Sequence, residues 1–259
     1  MHINVRTQFS PLQSLVRIET YLDELVRRQI RRAVICETTL TGVPAFIDAC
    51  QRRNMQPVVG WEQRIEEEEF CILWFAFSSD GLRQLYRLAS RQTETDVSAL
   101  IAVLVPLRQA SEDMTRLRRS FVQWMGQVQG AHTYMGVVSS RSTVERESRT
   151  RYREVAAALG VETIPVDPVR YLRRDEAAAY QAIRAIREAT TFQDQKTDRL
   201  MHLKTREELL EDFTEREITM AEQFAATSER LELPFQQRPL PRVAEDSNAL
   251  LRMHAEEGL

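Results

Sequence analysis

Leu15-Val16-Arg17-Ile18-Glu19-Thr20-Tyr21-Leu22-Asp23-Glu24-Leu25-Val26-Arg27-Arg28-Gln29-Ile30, followed by Ala33-Val34-Ile35-Cys36, is the stretch that decides the fold class. In its first part Leu15, Val16, Ile18, Leu22, Leu25, Val26 and Ile30 recur at helical spacing, so one face of a helix is apolar. The second part is four apolar residues in a row, and it reads as a short strand. This is one helix–strand step, and it repeats outward along the chain. A helix over 45–53 leads to the strand Pro57-Val58-Val59-Gly60, and a strand over 71–77 leads to a helix over 81–91. Runs 100–104, 133–138 and 161–166 read as further strands, with helices over 114–126, 143–159 and 175–190. Regular alternation of this kind predicts a parallel sheet or barrel of the α/β class.

Composition bounds the function. At 259 residues the chain is long enough for one sizeable α/β domain with an appendage. Hydrophobic residues make up 43% and charged residues 28%, ordinary globular values, and no apolar run approaches the roughly 20 residues of a membrane span. The formal net charge of -3 supplies no global positive field, which argues against direct nucleic-acid binding by this region alone. Cys36, Cys71 and Cys50 form no CxxC pair, and Met1-His2-Ile3-Asn4-Val5-Arg6 lacks the pattern of a signal peptide, so a reducing cytoplasm is expected.

The alternation stops after Thr191. Residues 191–197 are polar, helices are expected over about 206–213 and 218–231, and Pro234, Pro239 and Pro241 interrupt the chain before a last helix over 248–257. The expected division is therefore a barrel over 1–190 and a helical arm over 191–259. Leu209, Leu210, Phe213, Met220, Phe224 and Leu231 give that arm an apolar face, predicted to dock weakly on the barrel and otherwise to await a partner. Glu66-Glu67-Glu68-Glu69 reads as a solvated loop between strands.

Five segments, in order, carry a family resemblance. They are His2-Ile3-Asn4-Val5-Arg6-Thr7-Gln8-Phe9-Ser10, the region 42–62 ending in Pro57-Val58-Val59-Gly60-Trp61-Glu62, the region 71–90, the region 160–171, and Leu203-Lys204-Thr205 with Glu207-Glu208-Leu209. Together they resemble the N-terminal PHP (polymerase and histidinol phosphatase) domain of bacterial DNA polymerase III α subunits. The resemblance implies a distorted (β/α)7 barrel whose strand ends hold a metal cluster in members with an intact site. It also implies that the arm leads to a polymerase domain absent from this chain.

Carrying the family's ligand positions over, the first His-x-His falls on Asn4 and Arg6, and a nearby Asp falls on Gln13. An Asp-His pair falls on Cys36 and Glu37, in a register that a one-residue gap would shift by one. The strand-ending glutamate is Glu62, a strand-opening histidine falls on Cys71, and a late Asp-x-His falls on Pro168 and Arg170. A multinuclear hydrolytic site needs several imidazole and carboxylate ligands at about 2.0–2.2 Å. Pro168 has no ligating side chain, and Arg6 and Arg170 are permanent cations that repel a metal. The expectation is an Arg–Glu network, with Arg6 and Arg170 beside Glu37 and Glu62, no metal and no cofactor.

The other readings are weighed alongside. Cys36 and Cys71 could bind zinc with Glu37 and Glu62, but cysteines on apolar strands are more often small buried hydrophobes. Arg6 and Arg170 could grip a phosphate, but structural pairing is favoured. Trp61, Trp74 and Trp124 read as core, and Arg116, Arg118 and Arg119 as a solvated helix face. His2 lies beside the old ligand pair. The expected function is a non-catalytic scaffold for a polymerase module in cis, with a separate proofreading exonuclease as the partner that the resemblance implies. The rival is an active metal-dependent phosphoesterase or 3′–5′ proofreading nuclease.

Overall fold

In the computed structural model the described residues are 1–64, 70–91, 96–106, 114–128, 130–139, 143–191, 201–229, 231–233 and 246–258. The loop 66–69 and the prolines at 234, 239 and 241 lie outside them. The strands are β1 (Asn4–Val5), β2 (Arg32–Glu37), β3 (Gln56–Arg64), β4 (Phe70–Ala76), β5 (Leu100–Pro106), β6 (His132–Val138), β7 (Thr163–Val166) and β8 (Pro168–Val169). The helices are α1 (Ile18–Arg27), α2 (Val43–Arg52), α3 (Ser79–Ala89), α4 (Met114–Gln127), α5 (Thr143–Ala158), α6 (Ala177–Glu188), α7 (Arg206–Leu210), α8 (Glu215–Ala226) and α9 (Ser247–Glu257).

Successive side chains of a strand point to opposite faces, and here both faces are dry. Along β4, Phe70, Ile72, Trp74 and Ala76 pack outward with the helices, among them Leu82 and Leu85 of α3 and Phe121 of α4. Cys71, Leu73 and Phe75 point the other way, into an inner cluster. Strand β2 divides in the same manner, Ala33 and Ile35 outward, Val34 and Cys36 inward. The near-continuous apolar runs of the sequence follow from this double burial. Gly60 of β3 is required by close approach, because a Cβ there would come within 2.5 Å of the Phe75 ring.

The six strands β2 to β7 form one curled sheet in sequence order. A separate parallel pair, β1 with β8, registers Asn4 opposite Pro168 and Val5 opposite Val169. It lies between the sheet's two edges, since β1 packs beside β2 and β8 follows β7 after Asp167 alone. The expectation of uniform parallel strands is corrected at β4, which runs antiparallel to both β3 and β5. Only residues 65–69 join β3 to β4, too few for the crossover that a parallel pair needs.

Residues 201–229, expected as part of an arm that packs back onto the barrel, make these contacts with it. Thr205 with Glu208, and Thr214 with Glu217, form capping boxes that start α7 and α8. Helix α8 then sends Ala221, Phe224 and Ala225 into the inner cluster of the sheet. Phe224 meets Phe77, Phe75 and Tyr134 edge-on, with ring centroids 4.8, 5.0 and 5.9 Å apart. Arg153 of α5 holds Glu217 through two hydrogen bonds of 2.8 and 2.7 Å, and Glu229 donates its backbone N–H to the Phe77 carbonyl. Leu209, Phe213 and Leu231 are also buried, whereas Leu210 is exposed. A curled sheet whose inner face is apolar needs a lid, and α8 is that lid. Helix α9 differs, with Leu251 and Met253 exposed. Trp74 and Trp124 are core residues, Trp61 is half-buried, and Arg118 and Arg119 are exposed.

Replacing Phe224 by Ala should therefore cost about 3–5 kcal/mol, the usual range for a buried aromatic. Urea unfolding measures it, and a loss below about 1 kcal/mol would restore the loosely docked arm.

Candidate functional site

The ends of β1, β3, β4 and β8 surround a cavity of 370 Å³ whose wall includes Asn4, Arg6, Glu62, Arg64, Cys71, Pro168 and Arg170. Helix α6 contributes Tyr180, Arg184 and Arg187. At its centre Arg6 and Glu62 form a buried ion pair. Gln13 accepts the other terminal nitrogen of Arg6, and Arg64 donates its Nε to Glu62 at 2.6 Å. Arg64 follows Glu62 by two residues, so strand alternation returns its side chain to the same side. The same signal was available in the sequence, which nonetheless left Arg64 unassigned. Arg184 and Arg187, three apart on α6, reach the cavity only through the packing of that helix.

Glu37 ends β2 and is fully buried. It accepts the Thr7 backbone N–H at 2.8 Å, the Thr7 hydroxyl at 2.5 Å and the Ser10 hydroxyl. The two carboxylates thus have different surroundings and titrate in opposite directions. Burial pushes the Glu37 carboxyl above its ordinary value, and the Ser10 and Thr7 hydrogen bonds offset only part of this. For Glu62 burial also raises the value, but the charge of Arg6 with the hydrogen bonds of Arg64 and Arg6 outweighs it, so the carboxyl lies below its ordinary value.

Arg170 departs from the expected Arg–Glu pairing. Its guanidinium donates to the backbone carbonyls of Asn4 and Val169, at 2.9 and 2.8 Å, and to the Asn4 side-chain oxygen at 3.1 Å, and it reaches neither Glu37 nor Glu62. The parallel register of β1 and β8 places Arg170 alongside Arg6, which already occupies Glu62, so the neutral oxygens of Asn4 are what remains within reach. Burial first, and then the charge of Arg6, push Arg170 down to about 10. Cys36 and Cys71 are buried in the inner cluster, where burial raises both thiols, Cys71 to about 12. Among the described residues no three His, Cys, Asp or Glu side chains converge as metal ligands would.

His2 belongs to a different cluster. Lys204 Nζ donates to Asp167 at 2.5 Å, while the His2 ring lies 3.3 Å from the other Asp167 oxygen and 3.0 Å from the Lys204 carbonyl. Burial raises Asp167, but hydrogen bonding and charge from His2, then Lys204, hold it below the ordinary carboxylate value.

The sequence profile of the PHP domain matches residues 2–165. The chain belongs to the PHP domain family. DNA polymerase III subunit alpha of Staphylococcus epidermidis (strain RP62A) is 32% identical over 92 residues, which is 34% of this chain and 9% of that protein. The same subunit of Halalkalibacterium halodurans is 23% identical over 219 residues, 75% of this chain and 19% of that protein. The chain thus spans a small part of the length of these relatives. Among solved structures, an amidohydrolase from Chromobacterium violaceum shares 10% identity at a TM-score of 0.42, covering 64% of this chain and 85% of its own. A putative metal-dependent phosphoesterase from Bifidobacterium adolescentis has a TM-score of 0.41 with the same coverage.

The metal cluster that this PHP family implies does not fit the residues present. Asn4 offers its oxygen to Arg170, Arg6 and Arg170 bring positive charge, and Pro168 brings no donor.

Glu62→Ala would leave Arg6 buried without its partner and should cost about 3–5 kcal/mol by thermal or urea unfolding. Because the folded value of Glu62 lies below its unfolded value of 4.5, its contribution is present above that pH and is lost as pH falls through the folded value. Glu62→Gln should accordingly lose less stability than the wild type as the pH falls below 4.5. An identical pH slope in the two proteins would mean that Glu62 is not the paired carboxylate.

Proposed function

We propose that this chain is the catalytically degenerate PHP domain of a DNA polymerase III α subunit, acting as a structural and interaction scaffold for the polymerase module in cis during replication. The observation that carries this reading is the buried Arg6–Glu62 pair: a guanidinium occupies a position where the family places a metal ligand, and it neutralises the one clear ligand carboxylate that survives. A hydrolytic PHP site polarises a phosphoryl oxygen and activates water through its cations, and an arginine does neither at neutral pH because it stays protonated. The relatives that share the sequence are polymerase α subunits, which supports the placement in replication. A separate proofreading exonuclease is the partner in trans that this reading proposes.

The test is metal content and hydrolysis together. Elemental analysis of the purified chain should find less than one zinc or manganese per molecule, and added manganese should produce no hydrolysis of a phosphomonoester or of a DNA 3′ end. Two or more bound ions per chain, with manganese-dependent hydrolysis abolished by Glu62→Gln, would overturn the degenerate reading and restore the phosphoesterase.

A further inference from the structure

We propose that a cleft at the end of the sheet opposite Glu62 docks a short acidic segment of a partner protein, with carboxylates on Arg31 and Arg32 and an apolar side chain between them. The proposal does not depend on whether the site at the other strand ends is degenerate.

Strands β2 and β3 run parallel in a register that sets Arg32 opposite Gln56 and Ala33 opposite Pro57. Both strands start here and carry Glu37 and Glu62 towards their other ends. A cleft of 690 Å³ lies between these starts, the C-terminal end of α2 and Leu231. Its polar wall is Arg31, Arg32, Gln51, Asn54 and Gln56, and its floor is made by Met55, Pro57 and Leu231, all buried.

The wall is charged and unsatisfied. Among the described residues two guanidinium groups and no carboxylate line the cleft. The arginines just outside it are engaged: Arg52 holds Glu19 and Asp48, Arg53 holds Asp23 and Glu19, and Arg28 holds Glu24. By contrast, among the described residues the side chains of Arg31, Arg32, Gln51, Asn54 and Gln56 make no hydrogen bond or ion pair. Hydration does not account for Arg32, whose Nε is buried without an acceptor. A buried donor without a partner is costly and rare in a folded protein, and an incoming acceptor removes the cost.

The chemistry of the wall selects the occupant. A guanidinium fork grips a carboxylate through two parallel N–H···O bonds, and arginine clusters are a recurring means of recognising acidic motifs. A carboxamide carries both a donor and an acceptor, so it complements a peptide unit, and three of them suit a peptide backbone. The apolar floor takes one apolar side chain of that peptide. A nucleotide would call for a ring on which its base could stack, and no aromatic side chain lines the cleft among the described residues. Ligand sites run from about 300 to 1,000 Å³, so this cleft is larger than a lone anion needs.

The experiment pans a randomised heptapeptide library against the full chain and measures the affinity of the enriched peptides by fluorescence anisotropy. Enriched peptides should share acidic residues on both sides of an apolar one. Arg31→Gln and Arg32→Gln should each weaken their binding about tenfold, the loss expected for one charge-assisted hydrogen bond, and Arg52→Gln, outside the cleft, should leave it unchanged. Arg31 and Gln56 are exposed, so Arg31→Gln and Gln56→Ala carry the test if Arg32→Gln loses the native circular dichroism spectrum. Absence of an acidic consensus, or equal affinity in the wild type and Arg31→Gln, overturns the proposal. So does AMP binding that Arg31→Gln removes, which would make a nucleotide the ligand, or dimerisation in sedimentation that Arg31→Gln removes, which would make a second copy of the chain the occupant. Each of these outcomes leaves metal content and hydrolysis untouched, so the scaffold reading stands or falls separately.

Discussion

The arrangement at the strand ends depends on the buried ion pair between Arg6 and Glu62, which links the residue after β1 to the far half of β3. A buried pair need not stabilise a fold more than apolar packing would, because both ions lose their hydration. Its consequence is constraint: with one partner buried, the other cannot be removed cheaply. Around it Gln13 accepts from Arg6 and Arg64 donates to Glu62, and Arg170, which among the described residues pairs with no carboxylate, donates to the oxygens of Asn4 and the Val169 carbonyl. The residues at the positions that the resemblance maps to ligands are therefore linked as a set. A cation placed among them would meet the positive charges of Arg6 and Arg170.

The shell that holds this site is a sheet dry on both faces. Its outer face is covered by helices, and its inner face is filled by its own side chains and by Phe224 of α8. Because Cys36 and Cys71 share the inner cluster with Phe75 and Phe224, the packing that closes the sheet also supports the strand ends where the arginines sit. The buried Asp167–Lys204 pair ties the segment entering α7 to the link between β7 and β8, immediately before Pro168 and Arg170. Residues 201–229 are thus joined to the site's framework by both apolar and ionic contacts.

Much of this was legible in the residues. Helical spacing in α1 and the uninterrupted apolar run of β2 express burial directly, since one-sided burial repeats every 3.6 residues in a helix and two-sided burial leaves no polar gap in a strand. The chemistry at positions 4, 6, 168 and 170 was legible for the same kind of reason, because the protonation and donor capacity of arginine, asparagine and proline do not depend on where the chain carries them. The Arg6–Glu62 partnership followed once both were placed at one site. Arg64 was within reach of the same reasoning, two residues beyond Glu62 on one strand.

What the sequence determined by itself was the alternation of elements, the apolar class of each strand and the donor chemistry of the side chains at positions 4, 6, 168 and 170, all of which are local properties. Tertiary structure alone decided that β4 runs antiparallel, that Arg170 turns to Asn4, that Glu37 is held by Thr7 and Ser10, and that α8 closes the sheet. The physical reason is common to all four. Each depends on which distant groups a register or a packing surface brings within a few ångströms, and hydrogen bonds and apolar contacts act only at that range.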